Sequence, residues 1–212
     1  MIEREEYDMN HKVNNVQMLH DDAMYMHNNL VVGGEASADS ILNSLNQGIE
    51  NLKTNWKGKD AGYRIQEVIG VHNAMVSVRN ALDQLASDSS KVAANYREIQ
   101  NANGAGLETL GTIAIEIKTF LGDYSDTADT IDINPSAEAG KNSIDAANNA
   151  LDTFIADVRA RYNSIMENWT LGTGRDAAQG AFESFMANAN KYKETLTEVS
   201  ANITKALQNY TF

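Results

Sequence analysis

Residues 52–64 read LKTNWKGKDAGYR, and residues 165–180 read IMENWTLGTGRDAAQG. Both place Asn-Trp ahead of a glycine turn, followed by a basic residue, Asp and Ala. The two tryptophans, Trp56 and Trp169, stand 113 residues apart. A corner made twice in one chain calls for a duplicated architecture, and the flanking sequence supplies one.

Upstream of Trp169, apolar residues fall at Leu151, Ile155, Val158, Tyr162 and Ile165. Gaps alternating between four and three residues mark one face of one helix. Pro135-Ser136 suits its first turn. Downstream, Thr173 and Asp176 have the spacing of a capping box. A second stripe then runs through Phe182, Phe185, Ala189, Tyr192, Leu196, Val199, Ile203, Ala206 and Tyr210. Two long amphipathic helices joined by a few residues fold back as an antiparallel hairpin. Gly172 and Gly174 are expected in the turn, with Val158, Tyr162, Ile165, Phe182, Phe185, Tyr192, Leu196, Val199 and Ile203 in the core.

The first half repeats the plan. Ile41, Leu45, Ile49 and Leu52 lead into Trp56 and align without gaps on Phe154, Val158, Tyr162 and Ile165. Leu45, Ile49 and Leu52 are expected in the core, and Gly58 in the turn. The return helix carries a stripe from Ile65 to Ile99 with more polar intrusions. Two segments lie outside the repeat. Residues 1–34 form an N-terminal extension ending at the paired glycines Gly33-Gly34, and residues 104–135 form a connector. Within the connector a short helix is expected over Leu107–Leu121, followed by an acidic irregular linker. The hairpins are then residues 35–103 and 136–212.

Composition agrees with an all-α chain. There is a single proline in 212 residues, and proline is the residue that most disrupts helices. The net charge of -12 argues against nucleic acid, which needs clustered Lys and Arg, and against an anionic membrane surface. Zero cysteine removes disulfides, thiol catalysis and Cys-ligated metal. The most apolar stretch, LGTIAIEIKTFLG at 110–122, is short and carries Glu116 and Lys118, so no membrane span is expected. The acidic beginning, MIEREEYDMN, does not read as a secretory leader.

No constellation of residues points to a reaction. His11, His20, His27 and His72 lack the tight helical spacing of metal ligands. Asp126, Asp129 and Asp132 lack the glycine and closing glutamate of a calcium loop. GTGRDA at 172–177 lacks the Gly-Lys-Ser/Thr ending of a phosphate loop. The expectation is a non-enzyme with no cofactor and no metal. The tryptophans pack into their own hairpins or, in a partly exposed corner, serve as docking anchors.

A helix, a Trp-x-Gly corner and a second helix resemble the WXG-100 (ESAT-6-like) family, here as two copies in one chain. Trp56 and Gly58 match the motif, whereas Leu171 stands where the motif of the second copy has glycine. The resemblance implies small helical hairpins that pair as dimers and leave the cell through type VII secretion systems without a cleaved leader. A family export element, Tyr-x-x-x-Asp/Glu after the second helix, has no counterpart at Tyr210; Tyr63 and Glu67 have the spacing but follow the first corner.

The expected fold is therefore an elongated four-helix bundle of two long hairpins, with an N-terminal segment and a helical connector. A connector of about 30 residues is long enough to return along the bundle, which sets the hairpins antiparallel with their corners at opposite ends. The expected function is that of a tandem WXG-100-like secreted substrate or structural co-factor. Its partners are proteins of the secretion machinery or an exported toxin, and the chain itself is a monomeric pseudo-dimer. An alternative is a cytosolic adaptor for the helical N-terminal domain of an exported toxin, and a second is a helical membrane-permeabilising protein. Localisation is outside the cell, or cytoplasmic before export.

Overall fold

Long apolar stripes interrupted by few breakers become long helices, and the breaks fall where the sequence places glycine. The structure, a computed structural model, describes residues 12–171 and 173–209. Strand β1 (Lys12–Val13) leads into helix α1 (Val16–Tyr25), whose N-cap Asn15 accepts from the Met18 backbone N–H at 3.0 Å. A π-helical turn over Met26–Val32 follows and ends at Gly33-Gly34, where Gly34 takes φ +94°. Helix α2 (Ala38–Asn55) starts at its cap Ser37 and ends in strand β2 (Trp56–Lys57). Helix α3 (Lys59–Ala102) is 44 residues long, about 66 Å at 1.5 Å per residue. Strand β3 (Asp132–Ile133), helix α4 (Ala137–Asn168), strand β4 (Trp169–Leu171) and helix α5 (Thr173–Asn209) follow.

Side-chain pairs fix how these rods lie. Along α3, Gln17 meets Arg97, His27 meets Asp83, and Asp39 meets Arg79. As the first member of each pair advances the second retreats, so α1, the π turn and α2 form one broken arm antiparallel to α3. Residues 16–32 thus pack along the first hairpin. On α4 and α5, Asn148 meets Thr197, Asp152 meets Lys193, and Tyr162 stacks on Phe182, which defines the second antiparallel hairpin. The hairpins join through α2 on α4 and through α3 on α5. Gly48 and Gly140 let α2 and α4 approach closely, since a Cβ on Gly48 would stand 2.9 Å from Ile144 Cγ1. The result is a four-helix bundle, with Leu45, Ile49, Leu52, Val158, Ile165, Leu196, Val199 and Ile203 buried at its axis. Tyr162, Phe182 and Phe185 are buried beside them, and Tyr192 is half-buried against Phe185.

The polar intrusions in the α3 stripe are also explained. Arg79 and Asp83 are wholly buried, and they bind each other at 2.9 Å. Arg79 also donates to Asp39, and Asp83 also meets His27 Nδ1 at 2.7 Å. Buried charges are retained only when paired in this way, because an uncompensated one costs several kcal/mol.

One expectation fails. Residues 107–121 are not helical; the chain from Ala105 to Thr130 contains no helix or strand. Gly104 and Gly106 take positive φ, +92° and +61°, and turn the chain back from the end of α3. The β-branched residues Thr112, Ile113, Ile115, Ile117 and Thr119 then favour an extended chain over a helix. This strap runs antiparallel along α3 and returns to the first corner. The Trp corners consequently lie at opposite ends of α4, a helix about 48 Å long.

Candidate functional site

Each corner is closed by a strand that belongs to the other hairpin. At the first, Trp56 pairs with Ile133 and Lys57 with Asp132. At the second, Trp169 pairs with Val13 and Leu171 with Lys12. Strand β3 leads into α4, and β1 leads into α1. The segment introducing each hairpin therefore caps the corner of its neighbour. Both indoles are about 1% exposed, which makes them plugs for the bundle ends and removes them as docking anchors. A two-residue strand has no periodicity, so neither capping strand is legible as a strand in the sequence. The available signal was an apolar-Asn pair before each first arm, Val13-Asn14 and Ile133-Asn134.

Gly58 takes φ +113°, a region that favours glycine, and its N–H donates to Asp126 Oδ2 at 3.1 Å. Asp126 also accepts from the Ala128 N–H at 2.9 Å. These two bonds, with Lys57 nearby, hold the Asp126 carboxyl below its ordinary range. At the second corner Gly174 lies in the first turn of α5 instead of the expected turn, and Gly172 lies outside the described residues, as do Tyr210 and His11.

The strap is held to α3 by side chains that read its backbone. Asn73 donates to the Leu121 carbonyl at 2.9 Å and accepts from the Leu121 N–H at 2.8 Å. Asn80 does the same to Lys118, at 2.8 and 3.0 Å. Gln66 accepts from the Tyr124 N–H at 2.6 Å, and Ser87 donates to the Ile113 carbonyl at 2.8 Å. Gln66, Asn73, Asn80 and Ser87 are spaced by seven residues. Seven residues of helix rise about 10.5 Å, and three residues of extended chain span about 10 Å. The steps from Lys118 to Leu121 to Tyr124 match that rise. These polar residues stood in the sequence as blemishes in an apolar stripe; their periodicity was the readable signal.

Under the strap, burial lowers the pKa of His72 from its ordinary 6.5, opposed by a bond to Asn73. Near the second corner, burial raises the Tyr162 phenol. Among the described residues no group of His, Asp and Glu side chains is placed to hold a metal ion, and no helix is long and apolar enough to cross a membrane.

The geometry defines a class first: a paired helical-hairpin module with tryptophan corners. Residues 130–211 match the sequence profile of the WXG100 family, described as proteins of 100 residues with WXG. Residues 130–211, the second hairpin with its lead-in strand, thus form a WXG100-family domain. Proteins of this family are non-enzymatic, secreted and helical. The match falls on the hairpin whose corner lacks the literal Trp-x-Gly, and it begins just before β3. No curated protein and no solved structure shows significant similarity to the chain.

Proposed function

We propose that this chain is a type VII secretion protein in which two hairpins, fused in tandem, form a complete pseudo-dimer that works as a secreted substrate or structural co-factor. The observation that carries this reading is the reciprocal capping of the corners. In one closed bundle each hairpin covers the apolar face of the other, and each lead-in strand closes the other's end. A second copy is not needed to finish the core, so the outer helix faces are left to contact the secretion machinery or an exported toxin. The matching lead-ins, Val13-Asn14 and Ile133-Asn134, support a duplication that includes them. Burial of both indoles and the net charge of -12 speak against membrane permeabilisation.

The test follows the full chain in its own host with the secretion ATPase intact or inactivated. Appearance in the medium only with an active ATPase supports the substrate reading. Retention in the cytosol in both strains, together with co-purification of a larger exported protein, replaces it with the adaptor reading. Sedimentation of the full chain is expected to give the mass of a monomer.

A further inference from the structure

We propose that Asn103 is a modification site: it deamidates spontaneously, chiefly to isoaspartate, and the change releases the reversal that begins the strap. This inference stands on the end of α3 and not on the secretion reading. The chain contains one Asn-Gly pair, Asn103-Gly104. It closes α3 at an exposed turn, where Gly104 takes φ +92° and nothing lies within 4 Å of its Cβ position. Among the described residues, the Asn103 carboxamide has no hydrogen-bond partner. The Gly104 N–H is held by one bond, to the Asn101 carbonyl at 2.9 Å. At the Asn103 ψ of 11° the Gly104 nitrogen is turned away from the side chain, so the reaction runs through the frayed turn. Helix ends open at little free-energy cost, and glycine offers no side chain to oppose the rotation. The Asn-Ser pairs at Asn43, Asn142 and Asn163 lie inside α2 and α4, where the helical ladder fixes the following nitrogen.

The chemistry needs only water. The Gly104 nitrogen gives its proton to a solvent base and bonds to Asn103 Cγ. The carboxamide nitrogen leaves as ammonia, and a succinimide ring remains. Water then cleaves one of the two imide C–N bonds, which leaves aspartate or an isoaspartate whose main chain runs through Cβ and Cγ. The products act where the strap begins. A new carboxylate stands at the C-terminal, negative end of the α3 dipole. Isoaspartate also lengthens the turn that the Ala105 N–H closes on the Gln100 carbonyl at 3.1 Å. Just beyond, Asn101 grips the N–H and C=O of Leu107 at 2.7 and 2.8 Å, and Arg97 donates to the Glu108 carbonyl at 2.9 Å. Those anchors depend on the length of the reversal, whereas the anchors at Lys118 and Leu121 lie past it.

The experiment incubates the full chain at mildly alkaline pH and physiological temperature. Peptide mass mapping and an isoaspartyl methyltransferase, used as a reagent, read the products. Asn103 should gain one mass unit at least ten-fold faster than any other asparagine, with isoaspartate exceeding aspartate. Gly104→Ala puts a methyl group on the attacking residue and should slow the gain at least ten-fold. Asn103→Gln keeps the turn glycine and should abolish isoaspartate there. In the aged chain, amide exchange at Leu107 should accelerate at least ten-fold while Lys118 and Leu121 keep their protection. Asn103→Asp adds the charge without the extra backbone atom and should accelerate Leu107 less. Faster reaction at another asparagine, an equal rate in Gly104→Ala, or unchanged exchange at Leu107 overturns the proposal.

Discussion

The backbone N–H of Asn134 donates to the carbonyl of Asn55 at 2.8 Å, and the same bond recurs between Asn14 and Asn168 at 2.9 Å. Each bond ties the residue before a tryptophan to the residue after a capping strand. The last helical carbonyls before a corner lack intrahelical donors. Here a strand from the other hairpin supplies one at each end of the bundle. The two bonds tie the hairpins to each other at both ends of the bundle.

Gly58→Ala should lower the thermal midpoint. At φ +113° a side chain is strained, and its Cβ would stand 2.9 Å from the Thr130 carbonyl oxygen. A cost of about 1–2 kcal/mol is expected from the backbone strain. An unchanged midpoint would show that the corner does not need glycine.

Asn73→Ala and Asn80→Ala each remove two hydrogen bonds to the strap, each bond having a net value of about 1 kcal/mol. The expected signature is local. Amide exchange at Leu121 or Lys118 should accelerate while protection of the α4 and α5 core amides persists. Equal acceleration throughout would mean that the strap and the bundle open as one unit.

Stability should fall on the acid side in two steps. His72 has a folded pKa below its ordinary 6.5, so its contribution is complete above that value and is lost as pH falls through the lower folded pKa. The folded pKa of Asp126 is likewise depressed, here below the ordinary 3.8; its contribution is present above that and disappears as pH falls through the folded value. Thermal midpoints measured across pH should show the upper step vanish in His72→Gln and the lower step shrink in Asp126→Asn. Unaltered profiles in both variants would refute the assignment.

Gly48→Ala should destabilise by about 1–3 kcal/mol through overpacking. Its Cβ would meet Ile144 Cγ1 at 2.9 Å and the Gly140 carbonyl oxygen at 3.1 Å. The exposed helical Gly70 has nothing within 4 Å of its Cβ position, so Gly70→Ala should stabilise by about 0.5–1 kcal/mol. Urea midpoints that move in the same direction for both variants would falsify the close approach of α2 and α4.

The sequence by itself determined the helices, the two corners and the core. Stripes such as Val158, Tyr162 and Ile165, or Leu196, Val199 and Ile203, are set by the 3.6-residue helical period and need no knowledge of what they face. Only the tertiary structure decided the strap. Leu107, Leu110 and Leu121 have helical spacing, yet the segment is extended because Asn73, Asn80 and Ser87 meet its backbone from α3. The exchange of capping strands was likewise tertiary. Val13 and Trp169 are 156 residues apart in the chain, and two residues of strand leave no local pattern. Periodicity records which face of an element is buried; which partner buries it is set by long-range pairing.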